Sequence, residues 1–120
     1  MVELLGWIGL FLFAGTLFPF ITRRVGLRHL GIRFYTKYHC LLALTSLAVF
    51  ILHGLTALIE GQGLQWERLL HTDILTGFIS LLLMLIIVIL AMASVRRMPF
   101  RRTHCKLAIL LVVFFFLHIL

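Results

Sequence analysis

HCLLALTSLAVFILH, residues 39–53, and HCKLAILLVVFFFLH, residues 104–118, carry the reading of this chain. Each is an almost unbroken apolar run with a histidine at both ends. Aligned end to end they share His, Cys, Leu, Ala, Phe, Leu and His. A histidine placed in hydrocarbon is costly, so four at matched positions need a reason.

With 62% hydrophobic residues among 120, and a mean hydropathy of +1.15, a water-soluble globule is excluded. Crossing a hydrocarbon core takes about 20 apolar residues in helical form. Stretches at about 2–21, 34–59, 74–95 and 99–120 meet that requirement, which predicts an all-α integral membrane four-helix bundle forming a single domain over residues 1–120. The opening MVELLGWIGLFLFAGTLFPFITRR has no basic start and no small-residue cleavage pattern, so it is expected to stay as a first helix.

The net charge of +7 is strongly patterned. Ten of the eleven lysines and arginines fall in two places. Arg23, Arg24, Arg28, Arg33 and Lys37 stand between the first and second stretches, and Arg96, Arg97, Arg101, Arg102 and Lys106 between the third and fourth. Glu3, Glu60, Glu67 and Asp73 sit at the opposite ends. This positive-inside pattern turns both termini away from the cytoplasm, in a membrane of the prokaryotic cytoplasmic type. Most of the cations then serve topology and meet lipid headgroups, and no nucleic-acid partner is expected.

Local signals set the expected boundaries. Pro19 is tolerable near the end of the first helix; Thr72 or Asp73 can cap the third; Pro99 suits the start of the fourth. Cys40 and Cys105 follow a histidine at a membrane boundary, where a reducing compartment disfavours a disulfide, and are expected to be small apolar filler. There is no C-x-x-C-H for covalent haem attachment.

His39 and His53 are 14 positions apart, as are His104 and His118. On an α-helix this is about 21 Å of rise and a return to within about 40° of the same face. Ligands so far apart cannot share one metal ion, so each helix serves two sites. A zinc centre would need three or four ligands in one cluster. The second and fourth helices are separated by one crossing and therefore run parallel, which brings His39 level with His104 near the cytoplasmic side and His53 level with His118 near the outer side. Two bis-histidine haem b groups, one above the other, satisfy this arrangement.

Small Ala43 and Ala108 lie one turn beyond the inner histidines, and Phe50 and Phe115 one turn before the outer ones, as a flat ring would favour. Ser46 is midway along its run, where the two rings come closest. Arg97, Arg101, Arg102 and Lys106 can neutralise propionates on the cytoplasmic side. His29 and His71 are expected in loops. With both axial positions filled, such haems carry single electrons and offer no place for substrate.

The stretch ASVRRMPFRRTHCKLAILLVVFFFLHIL, a small-residue helix end, a basic turn and a two-histidine helix, resembles the ferric reductase-like transmembrane domain. That domain is shared by ferric reductases, NADPH oxidases and the haem subunit of bacterial methionine sulfoxide reductase. The resemblance covers roughly residues 34–120 and implies that His39, His53, His104 and His118 are haem ligands. The family commonly has six helices, and many members continue into flavin and nicotinamide domains, whereas this sequence has four apolar stretches and no G-x-G-x-x-G. A second resemblance is to the N-terminal four-helix half of cytochrome b from quinol-oxidising bc complexes, although only 50 residues separate His53 from His104. The expected function is an electron-transfer subunit among other subunits of a redox complex, with separate donor and acceptor. The alternative is a quinol-dependent reductase, in which Glu60, Glu67, His71 and Asp73 would assist a quinone partner. The end of the chain just past His118 suggests that a neighbouring subunit covers the outer haem.

Overall fold

Apolar runs in lipid leave the backbone no water to bond, so each must satisfy its own N–H and C=O groups as a helix. The computed structural model describes residues 1–60, 71–93 and 100–120, and their side chains apart from Thr36, Asp73, Phe100, Arg101 and Arg102. Its elements are α1 (Val2–Arg24), α2 (Arg28–Phe34), a π-helical turn (Tyr35–His39), α3 (Cys40–Glu60), α4 (Thr72–Ala93) and α5 (Phe100–Ile119).

Among the described residues three helical spans, Val2–Arg24, Lys37–Glu60 and Ile74–Ala93, are long and apolar enough to cross a membrane. Thr103–Ile119 is a shorter apolar helix. α5 as a whole, Phe100–Ile119, rises about 30 Å, with Arg101, Arg102 and Lys106 in its first turns. Within the chain only 11%, 11% and 17% of the three apolar spans are buried. A soluble bundle would hide such surface; here lipid is its solvent, and the protein is an integral membrane protein.

Several boundaries differ from the sequence reading. Pro19 sits inside α1 near its end, as the sequence allows, but the helix continues past residue 21 to Arg24. Pro19 lacks an N–H, but the Thr22 hydroxyl donates to the Phe18 carbonyl (2.9 Å) and the Pro19 carbonyl (3.2 Å) in that last turn. The second apolar stretch is preceded by the short basic helix α2, so His29 is helical and exposed, where a loop was expected. Thr72 and Asp73 lie inside the first turn of α4 and do not precede it as caps. Cys40 and Cys105 are free and exposed, so neither fills a core. Pro99 lies outside the described residues.

The chain divides into two helical units, Met1–Thr56 and Ala57–Leu120. In the first, α1 runs antiparallel to α3. Gly15 faces Leu42, Gly9 faces Phe50 and Gly6 faces His53, so small residues let the backbones approach. The link from α1 to α2 turns at Gly26, whose φ of +87° belongs to the left-handed region that glycine enters without a Cβ clash. α2 then packs back on α1, with Gly31 against Thr22 and the Phe18 and Phe34 rings 4.7 Å apart. In the second unit α4 and α5 form an antiparallel pair, Gly77 near the start of one facing His118 near the end of the other. Ser80, Met84, Leu111 and Phe115 are buried there.

Candidate functional site

All four histidines of the two matched runs lie on described helix or at its edge: His39 ends the π turn, His53 is on α3, and His104 and His118 are on α5. The wide turn stops at His39 and α3 is regular from Cys40, so the helical spacing between His39 and His53 is undisturbed.

In the first unit both histidines reach across to α1. His39 Nδ1 is 3.2 Å from the Thr16 carbonyl, and His53 Nδ1 is 2.9 Å from the Val2 carbonyl. Between them, the Ser46 hydroxyl donates to the Gly9 carbonyl at 3.0 Å. The acceptors step by seven along α1 (2, 9, 16) while the donors step by seven down α3 to the end of the π turn (53, 46, 39), the seam that two helices in long contact produce. Ser46 is fully buried on this seam, so its hydroxyl is committed to α1. Phe50 is likewise placed by α1, its ring lying over Gly9.

The bonds fix a tautomer. A carbonyl can only accept, so Nδ1 of His39 and of His53 carries the proton and donates it. The remaining ring nitrogen, Nε2, is then the basic one, and in metal sites a backbone carbonyl orients a ligating imidazole in this way.

In the second unit His118 Nδ1 lies 3.4 Å from the Thr76 hydroxyl. That hydroxyl donates to the Thr72 carbonyl at 2.8 Å, so toward His118 Nδ1 it stands as an acceptor. Three of the four histidines are thus held by Nδ1 acceptors on a neighbouring helix. The fourth, His104, is half-buried on α5. Phe115 is buried one turn before His118.

Of the cations expected near propionates, Lys106 is exposed on α5, two residues past His104. Arg101 and Arg102 are in its first turn, and Arg97 lies outside the described residues. Arg23, Arg24, Arg28, Arg33 and Lys37 are all exposed, as headgroup-facing cations should be. His71 is exposed at the bend before α4. Among the described residues no three His, Cys, Asp or Glu side chains gather as they would around a single metal ion.

The sequence reading missed Val2, Gly9, Thr16, Thr76, Gly6 and Gly77. Three of these act through backbone carbonyls, which no residue type announces. The signal that could have found them is the placement of Ser46 seven residues from each histidine, which calls for a partner helix with contacts at the same interval.

The architecture defines the class first: an all-helical membrane protein with two histidines on each of two helical runs. The chain belongs to the ferric reductase like transmembrane component family, which matches residues 5–119. No curated protein and no solved structure gives a significant match. Membership extends over α1 as well as the region from residue 34 onward, and it assigns the chain a membrane redox role in electron transfer.

Proposed function

We propose that residues 1–120 form one transmembrane cytochrome domain that holds two b-type haems, His39 with His104 and His53 with His118, and carries electrons across the membrane between a separate donor and acceptor. The observation that supports this most directly is the state of the imidazoles. His39, His53 and His118 each have Nδ1 engaged by an acceptor, which leaves Nε2 basic for iron. The equal spacing of the two histidine pairs supplies two levels, and two imidazoles on each iron would fill both axial positions.

Each haem would supply a one-electron couple; the chain supplies ligands, burial and charge. α1 and α4 hold the imidazoles in place. Lys106, with Arg97, Arg101 and Arg102, places positive charge at the cytoplasmic end of α5, where carboxylates of an inner haem would be neutralised. Exposed apolar residues such as Phe11, Phe78 and Phe116 meet lipid. Both termini face outward by the charge pattern, and the basic side is the docking face for a cytoplasmic partner or anionic lipid.

The test is haem content. Pyridine haemochrome analysis of the intact purified chain is expected to give about two non-covalent haem b per chain, one for each pair of axial imidazoles. A value near one or zero in folded protein refutes the paired arrangement. Reduction of the haems by a quinol in the isolated chain would favour a quinol-dependent reductase over a passive carrier.

A further inference from the structure

We infer that Gly6 and Gly77 are positioning residues for the outer pair of histidines, each leaving the space that the edge of one imidazole occupies and so fixing the plane of that ring. A Cβ added at Gly6 would stand 3.1 Å from Cε1 and 3.4 Å from Nδ1 of His53. One added at Gly77 would stand 2.8 Å from Cε1 and 3.2 Å from Nδ1 of His118. The second is closer than carbon atoms approach, so His118 must move; the first forces a displacement of a few tenths of an ångström.

Each notch lies beside the acceptor for the same ring. The Val2 carbonyl, one turn before Gly6, takes the Nδ1–H of His53, and the Thr76 hydroxyl, the residue before Gly77, faces Nδ1 of His118. A hydrogen bond fixes one atom of an imidazole but lets the ring swing about that contact. Close backbone packing against the Cε1 edge removes the swing. The two units reach the same result with different groups, a carbonyl in one and a hydroxyl in the other. The feature belongs to the outer histidines: Gly15, beside the Thr16 carbonyl that holds His39, opens onto Leu42 and not onto a histidine.

The consequence rests on the proposed ligation of an outer haem by His53 and His118. The planes of two axial imidazoles set the splitting of the iron d orbitals, so a ring turned by an added methyl changes the largest g value of the ferric low-spin signal. Gly54→Ala is the control, because a Cβ there meets nothing within 4 Å among the described residues although it adjoins His53.

Two measurements separate this inference from the function it builds on. In the haem-free chain in micelles, labelled with 15N-histidine, Gly6→Ala is expected to shift the ring nitrogens of His53 and Gly77→Ala those of His118, while Gly54→Ala leaves both in place. In the unsubstituted chain, nuclear Overhauser contacts should link His53 Hε1 to the Gly6 α-protons and His118 Hε1 to those of Gly77. In the haem-loaded chain, both single variants are expected to shift the largest g value of one and the same low-spin signal, with haem content unchanged. Absence of those contacts, or ring signals that do not respond, overturns the inference whatever the haem content. So does an unchanged spectrum in variants that keep both haems. A chain that binds no haem, yet shows the contacts and ring shifts, overturns the proposed function and leaves the notches standing.

Discussion

Replacing Gly9 by alanine should destabilise the first helical unit, although alanine is the better helix former. The added Cβ would lie 2.7, 2.9 and 3.1 Å from Cε1, Cδ1 and Cζ of Phe50. Carbon atoms rest about 3.5–4.0 Å apart, so the ring or the helix must retreat by about 1 Å. Retreat is resisted, because Ser46, one turn earlier on α3, is bonded to the Gly9 carbonyl itself. Overpacking of this kind costs about 1–3 kcal/mol, and the helix propensity of alanine returns about 1 kcal/mol. The net loss is therefore about 1 kcal/mol, whereas Gly54→Ala, with only the propensity change, should be neutral or stabilising. Reversible unfolding of the detergent-solubilised chain by a denaturing detergent measures both. In a Phe50→Ala background the Gly9→Ala penalty should vanish, a coupling of about 1 kcal/mol or more between the two sites. If Gly9→Ala stabilises as Gly54→Ala does, or costs the same with and without the Phe50 ring, the close packing of α1 on α3 is not what holds this unit.

Gly26→Ala places a Cβ at a φ of +87° and should cost about 1–2 kcal/mol, visible as a lower unfolding midpoint, with Gly26→Asn milder. His53→Ala and His118→Ala should remove the same spectral component and spare the other; a loss shared by His53→Ala and His104→Ala would refute the pairing. Neutralising Arg97, Arg101, Arg102 and Lys106 together should lower the potential of the inner haem, since lost positive charge favours the oxidised form, and potentiometric titration of each component reads it. An unchanged potential would leave those residues with topology alone.

The helices could be read in the sequence because lipid makes a simple demand, long apolar stretches bounded by charge, and 62% hydrophobic content meets it. Their ends were less legible. Pro19 is tolerable where it stands because it only removes one N–H, but nothing in the sequence shows that Thr22 supports the turn that follows and lets α1 run on to Arg24. YTKYH carries no residue that marks a wide turn. The four histidines were legible for a chemical reason: imidazole in an apolar run is rare and costly. What holds them was not, because Val2 and Thr16 act through carbonyls that every residue possesses, and Gly6 and Gly77 act by lacking atoms. The sequence places Ser46 midway between the two histidines of its run but does not show that its hydroxyl bonds the neighbouring helix.

The π turn at Tyr35–His39 also works as a phase shift. Such a turn holds one residue more than an α-helical path would need, and one residue corresponds to about 100° of rotation. The side chains of α2 therefore do not continue the angular pattern of α3. Arg28 and Arg33 point where the insertion sends them, and the histidine face begins afresh at His39. Deleting any one of the four residues Tyr35–Tyr38 could preserve an unbroken helix while swinging the basic segment by more than a quarter turn about the axis. The orientation of the basic segment and that of the histidine face can thus be altered independently, by a single codon gained or lost.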